Sequence, residues 1–149
     1  MSTETERKFL VKGDFKRYAT GSINITQGYL SVDPMKTIRI RITDDSGYIT
    51  IKSPRKTGVI ARGEWEFPIP VNDAEELMAL CIPGRIKKTR YIVPSGRNKF
   101  EVDVFHDKNE GLIIAEIELE SESEIFERPE WLGDEVTGDP RYYNSMLIK

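Results

Sequence analysis

The sequence predicts a mainly β fold: eight antiparallel strands in one domain, closed as a barrel or stacked as a sandwich. Three observations lead there. Hydropathy alternates with period two in Ile38-Arg39-Ile40-Arg41-Ile42, Ile49-Thr50-Ile51-Lys52, Glu64-Trp65-Glu66-Phe67, Phe100-Glu101-Val102-Asp103-Val104 and Glu116-Ile117-Glu118-Leu119-Glu120. That is the period of a strand with one wet and one dry face. Turn residues punctuate these runs at Asp45-Ser46-Gly47, Pro54 to Gly58, Pro83-Gly84, Pro94-Ser95-Gly96 and Asn109-Glu110-Gly111. The connections are therefore short, which suits hairpins rather than crossovers. Finally, 149 residues make a single domain over residues 1–149, since domains cluster near ~100–150 residues.

The expected strands lie at about 2–11, 23–32, 36–44, 47–53, 62–71, 85–93, 98–106 and 111–121. Helices are few. Asn72 can cap a segment with Asp73, Glu75 and Glu76 in its first turn, followed by Leu77, Met78 and Leu80. A C-terminal helix is expected over 140–148, with Asp139 as cap and Pro140 at the first helical position. Residues 13–21 have room for one helical turn. Hydrophobic residues are 38% and charged residues 32% of the chain, and 22 Lys+Arg against 25 Asp+Glu leave a net charge of −3. No basic excess points to nucleic acid. A lone Cys81 in an apolar run cannot close an internal disulfide and suits a reducing cytoplasm. A lone His106 excludes multi-histidine metal sites. No apolar run reaches the ~18 residues of a membrane span, and MSTETERKFL lacks the apolar stretch of a signal peptide.

The charges share strand parity. Glu4, Glu6 and Lys8 fall at i, i+2, i+4; Arg39 and Arg41, Lys52, Arg62 with Glu64 and Glu66, Lys88 with Arg90, Glu101 with Asp103, and Glu116 with Glu118 and Glu120 repeat the spacing. Even spacing puts side chains on one side of a sheet. Their alternates are Ile38, Ile40, Ile42, Ile51, Trp65, Phe67, Ile86, Phe100, Val102, Val104, Ile117 and Leu119. A solvated charged face over an apolar core is the simplest reading. Yet acids concentrate on the first, fifth, seventh and eighth strands and bases on the third, fourth and sixth, whereas a solubilising surface intersperses both signs. The bases are largely Arg at i, i+2, which suits bidentate phosphate contacts. If the sheet closes with this face inward, its lumen is too costly to be dry and empty. It suits a polyanion together with divalent cations, and carboxylate ligands favour Mg²⁺ or Mn²⁺ over Zn²⁺.

Glu4-Thr5-Glu6-Arg7-Lys8 fits an ExExK signature, and the later segments follow in order: Gln27-Gly28-Tyr29-Leu30, Arg39/Arg41, Lys52-Ser53, Arg62-x-Glu64-x-Glu66, Lys88-Thr89-Arg90-Tyr91, Glu101-x-Asp103-Val104-Phe105, Glu116/Glu118, and Gly133-Asp134-Glu135-Val136-Thr137 through Arg141-Tyr142-x-Asn144. Over essentially its whole length the chain resembles the CYTH domain family, the triphosphate tunnel metalloenzymes, and its short bacterial members in particular. The resemblance implies an eight-stranded antiparallel closed β-barrel whose lumen is a charged tunnel. It also implies metal-dependent chemistry on triphosphorylated substrates. Inorganic tripolyphosphate hydrolysis is the leading expectation; nucleoside or thiamine triphosphatases and class IV adenylate cyclases share the fold. A polyphosphate-binding barrel without catalysis is the alternative of another class, but it needs no carboxylates, which would repel the ligand.

By resemblance and chemistry, Glu4, Glu6, Glu116 and Glu118 are expected as metal ligands, with Glu64 as a further candidate and Asp103 either as a metal-side acid or as an acid that supports the lining residues from behind. Lys8, Arg39, Arg41, Lys52, Arg62, Lys88 and Arg90 are expected to contact phosphate. For Arg62, Glu64 and Glu66 a structural ion pair is an equal alternative, and Glu120 is expected in solvent. The resemblance also implies a catalytic pair in which the Lys8 ammonium lowers the proton affinity of Tyr29, making it a base for the attacking water; a strand aromatic is the alternative. Trp65, Trp131, Tyr142 and Tyr143 read as packing residues, His106 as a surface residue and Cys81 as a small buried hydrophobe. No nucleic-acid or membrane partner is expected, and the apolar outer face leaves room for a homodimer.

Overall fold

The computed structural model describes residues 1–149 except Arg55 and Thr57, so the turn expected from Pro54 to Gly58 falls partly outside the described residues. The chain runs β1 (Ser2–Val11), β2 (Gly21–Asp33), β3 (Lys36–Thr43), β4 (Ser46–Lys52), β5 (Ala61–Ile69), α1 (Val71–Leu80), β6 (Ile86–Ser95), β7 (Asn98–Phe105), β8 (Ile113–Glu118) and β9 (Leu132–Glu135). Single 3₁₀ turns sit at Lys16–Tyr18, Asp107–Asn109, Pro140–Tyr142 and Asn144–Met146. The eight expected strands are present within a few residues of their expected bounds. Neighbours pair antiparallel in the order β5-β4-β3-β2-β6-β7-β8-β1, and β1 returns to β5, which closes the barrel. At the seam Glu4 lies opposite Arg62 and Ser2 opposite Glu64. The far half of β1 leaves β5 and pairs instead with β9, where Val11 faces Leu132. β9 has no counterpart among the expected strands, because its four residues carry one large apolar side chain and no alternation.

Register decides which face is inside. Lys8 pairs with Glu116, Glu116 with Glu101, Arg90 with Asp103, Gln27 with Arg41, Arg39 with Thr50 and Lys52 with Glu64. Cross-strand partners share a face, so the charged parity is one continuous surface, and closure turns it inward.

Two of the apolar clusters therefore lie outside the barrel. On one flank Phe9, Phe100, Val102, Ala115 and Ile117 are covered by Phe15, Leu119, Trp131 and Leu132. Phe100 meets Trp131 edge-on at 5.1 Å, a favoured quadrupole arrangement. On the opposite flank Ile40 is covered by Ala74 of α1 and by Cys81, with Leu77 and Met78 alongside. Each large apolar side chain so buried contributes roughly 1.5–3 kcal/mol. The helix approaches β4 so closely that a Cβ on Gly47 would come within 2.7 Å of Ala74 Cβ. Part of the outer face stays bare: Trp65 and Phe67 on β5 are 36% and 54% exposed, so Trp65 does not pack as expected.

Two helix expectations change. Asn72 is not the cap of α1; Pro70 precedes the first helical residue, and its carbonyl accepts from Ala74 N at 2.9 Å. Asn72 thus lies inside the first turn. The C-terminal helix over 140–148 is replaced by two 3₁₀ turns split by extended backbone at Tyr143 (φ −70°, ψ 132°). Asp139 does cap the first turn, accepting from Arg141 N at 3.0 Å. The break lets Tyr142, Leu147 and Ile148 pack into the end of the barrel while Asn144 turns to the lumen. Gly84 (φ +104°) is required beside this segment, since any side chain there would strike the backbone of Ile148. Among the described residues no helix is long and apolar enough to cross a membrane.

Candidate active site

Of the residues expected to act, Glu4, Glu6, Lys8, Arg39, Arg41, Lys52, Arg62, Glu64, Lys88, Arg90, Glu116 and Glu118 all line one cavity of about 610 Å³ inside the barrel. Glu66 and Glu101 join them. A second hollow, lined by Ser22, Thr43 and Tyr48 at the other end, shares Arg41, Glu66, Arg90 and Glu101 with the first. Those four residues stand between two openings, which makes the lumen a tunnel. Glu120 is exposed, as expected.

The acids concentrate on β1, β8 and β5. Glu6 and Glu116 are hydrogen-bonded to each other. Burial, then the charges of Glu116 and Glu4, hold Glu6 well above the usual carboxylate range. Burial would raise Glu116 too, but the charge of Lys8 and the hydrogen bond from Glu6 keep it well below that range. The two carboxyls are thus pushed in opposite directions, Glu6 toward its neutral form and Glu116 toward its charged one. Glu4 accepts from Lys52 Nζ at 2.6 Å and lies 3.7 Å from Arg62 Nε, and Lys52 also reaches Glu64 at 3.4 Å. A hydrogen bond with Glu4, then burial, raises Glu64 to about 7. Burial and the nearby Glu4 and Glu101 raise Glu118 as well.

The cations concentrate on β3 and β6. Arg39 donates to Thr50 Oγ1 at 3.2 Å, and Thr50 donates to Glu66 at 2.8 Å. The Arg39 Nε is buried without a hydrogen-bond partner among the described residues. Arg41 has no carboxylate within ion-pair distance among the described residues; its guanidinium donates to Gln27 Oε1 at 3.2 and 3.3 Å. Burial, then Arg39 and Arg90, lower Arg41 to about 9, which still leaves it charged at neutral pH. The Lys8 ammonium donates to the Tyr142 carbonyl at 3.4 Å and lies 5.9 Å from the centre of the Tyr143 ring.

Of its two expected places, Asp103 takes the one behind the lining residues. It does not line the cavity: its side chain is 0% exposed, Arg90 grips both its oxygens at 2.8 and 2.9 Å, and Lys88 adds a contact at 2.8 Å. Burial opposes the charge, but these two cations hold Asp103 below its usual range. It anchors two lumen cations and has no free face for a metal.

Tyr29 sits where the charged wall meets an apolar cluster. It is 3% exposed, packed with Ile86, Phe105, Ile114 and Ile148, and absent from the cavity wall. Its carbonyl accepts from Ile82 N at 2.9 Å, it lies opposite Arg39 on the inward face, and its phenol is near enough to Arg41 to favour that cation's charge. The apolar C-terminal end of the chain packs against its ring as a plug. Ile86, expected outside, also points inward: it pairs with Gln27 and belongs to this plug. Trp131 and Tyr142 pack as expected, whereas Tyr143 lines the cavity. His106 is exposed and Cys81 buried. Gln27 and Asn144 had no expected role; only parity with Arg41 marks Gln27, and nothing local marks Asn144.

An antiparallel barrel with a charged, two-mouthed lumen and two apolar clusters outside it defines the class of protein. The chain belongs to the CYTH domain family, which matches residues 2–143. It is 45% identical to an inorganic triphosphatase of Acetivibrio thermocellus, with all of this chain and 95% of the relative aligned. It is 37% identical to an inorganic triphosphatase of Nitrosomonas europaea over 97% of this chain and 96% of that one. The crystal structure of the inorganic triphosphatase NE1496 superposes with a TM-score of 0.67 at 34% identity, covering 97% of both chains.

Triphosphatases of this family depend on a metal, and the donors here fit one. Glu6 is raised by burial and by the charges of Glu116 and Glu4, and Glu64 by its contact with Glu4 and by burial. Such crowded carboxylates are what a divalent cation would relieve. Among the described residues no three acidic, His or Cys side chains converge into ready coordination geometry; Lys52 holds Glu4 and Glu64 instead.

Proposed function

We propose that this chain hydrolyses inorganic tripolyphosphate to pyrophosphate and phosphate inside the barrel, with Mg²⁺ or Mn²⁺. The observation that carries the reading is the coexistence, in one lumen, of a guanidinium, Arg41, that has no carboxylate within ion-pair distance among the described residues, and carboxylates crowded together on β1, β5 and β8. A polyanion completes the first set and a divalent cation the second. The names of the aligned relatives support the substrate.

Arg39, Arg41, Lys88 and Arg90 take phosphate oxygens, with Lys52 and Arg62 at the acidic side. Lys88 and Arg90 are fixed in place by Asp103 and so are presented rather than free to sway. Glu6 and Glu116 hold the cation, with Glu4, Glu118 and Glu64 around it. When bound, that cation supplies Lewis-acid neutralisation of the phosphoryl oxygens and activation of water. Phosphoryl transfer needs positioning and charge neutralisation more than covalent chemistry, and this wall supplies both. Lys8 stands between the two sets, beside Glu116 and close enough to steady an oxygen of the substrate. The lone, buried Cys81 suits a reducing compartment, and we place the chain in the cytoplasm on that ground.

The test is phosphate release from tripolyphosphate, ATP, GTP and thiamine triphosphate with Mg²⁺, Mn²⁺ or EDTA. Tripolyphosphate should be the preferred substrate, with turnover lost in EDTA. Faster turnover of a nucleotide would overturn the substrate, and tight binding without turnover would make the barrel a polyphosphate binder.

A further inference from the structure

Two amides join the cations of the lumen wall. Gln27 is fully buried on β2. Asn144 comes from the far end of the chain, where it opens the second C-terminal 3₁₀ turn. Gln27 Oε1 accepts from Arg41 Nε and Nη2; Gln27 Nε2 donates to Asn144 Oδ1 at 3.1 Å; the same Oδ1 accepts from Lys88 Nζ at 3.1 Å. A continuous line of bonds thus runs Arg41–Gln27–Asn144–Lys88–Asp103–Arg90.

The direction of this line is forced. A guanidinium and an ammonium only donate, so each end demands an oxygen. Gln27 must give its oxygen to Arg41, which leaves its NH₂ for Asn144. Asn144 must then offer its oxygen to both Gln27 and Lys88. Reversing either amide would set N–H against N–H inside the protein, and an unmet buried donor is costly.

The choice of amides over carboxylates is what ties the line to function. A carboxylate at position 27 would grip Arg41 equally well but would cancel its charge. A neutral acceptor fixes the guanidinium and leaves its full charge for an incoming anion. Arg41 has no carboxylate within ion-pair distance among the described residues, so Gln27 is what orients it.

We propose that Gln27 and Asn144 are positioning residues for the substrate. Their linked amides hold Arg41 and Lys88 on the tunnel wall, and through Asn144 the C-terminal segment takes part in triphosphate binding. This rests on the proposed function, since the anion in question is the triphosphate.

The experiment measures kcat and KM for Gln27→Met, Asn144→Ala, their double variant and Gln27→Glu, with thermal melting of each protein. The substrate is tripolyphosphate, or whichever member of the panel above the unaltered protein turns over. Each single neutral variant should raise KM about tenfold, the scale of one charge-assisted hydrogen bond, with kcat changed less than KM. The double should be no worse than the more damaged single, because one cut already breaks the line. Gln27→Glu should retain the grip on Arg41 yet raise KM beyond Gln27→Met, because it neutralises the guanidinium. Wild-type KM in Asn144→Ala, or single effects that multiply in the double, would overturn the inference, as would variants that only lower the melting temperature and the active fraction. If tripolyphosphate is not the substrate but the KM pattern holds on another triphosphate, the substrate assignment fails and this inference stands; if no triphosphate is turned over, both fall.

Discussion

The inward face of the barrel has two zones built on the same strands with the same parity. In the middle, Lys8, Gln27, Lys88, Asp103 and Glu116 form a charged wall. One or two residues of the same parity further on, Tyr29, Ile86, Phe105 and Ile114 form an apolar plug with Ile148. Both zones are buried, but they are stabilised differently. The plug gains from losing water, and its members need only fit. The charged wall is costly to bury, and it persists because each ion is met by a specific partner or is left facing the tunnel. The side chains that line the cavity, Lys8 among them, belong to the first zone.

The sharpest way to break the contrast is Asp103→Ala. It leaves Lys88 and Arg90 buried without their anchor, and stability should fall by about 3–5 kcal/mol in a denaturant titration, with activity lost. Next is Arg41→Ala, whose effect should be almost wholly functional. We expect a drop of about a hundredfold in kcat/KM, shared between a higher KM and a lower kcat, with the melting temperature nearly unchanged. The plug should respond in the opposite sense: Ile114→Val should cost about 0.5–1.5 kcal/mol of stability while KM stays near its original value. A rise in KM comparable to that of Arg41→Ala would mean the two zones are not separate.

A pH series probes the acids. Glu64 is raised from the usual 4.5 to about 7 by Glu4 and burial. Between these values the folded chain keeps a proton that the unfolded chain has lost, so stability in chelator should decline as pH rises from about 4.5 to 7. Glu6, raised for the same kind of reason, deepens the decline. Added Mg²⁺ should flatten the curve, and Glu64→Gln should lessen its slope; a slope unchanged in Glu64→Gln would remove Glu64 from the acidic cluster. The smallest effect belongs to Tyr29→Phe, which should stay within about twofold of the original activity and ±0.5 kcal/mol of its stability. A large loss would place Tyr29 in the chemistry.

Much of this was legible locally. Alternation at Arg39 and Arg41, or at Glu116 and Glu118, needs only neighbouring residues to reveal a shared face, and turn chemistry located the hairpins. Ile86 was misplaced because hydropathy alone sends an isoleucine outward, whereas register puts it beside Gln27 and under Ile148. Parity allows Asp103 a place among the metal-facing acids; only its burial between Lys88 and Arg90 puts it behind the lining residues. Asn144 carried no local signal, since its partners Gln27 and Lys88 are remote in sequence.

Sequence alone determined the number of strands, the shared parity of the charges and so the chemistry available to the lumen, because a strand's two-residue period is set by its own backbone. Tertiary structure decided that this face turns inward, where the wall changes from ionic to apolar, and which charges keep their strength. Those outcomes depend on ring closure between β1 and β5 and on the last residues of the chain folding back into the barrel. Contacts between segments so far apart leave no trace in the order of neighbouring residues.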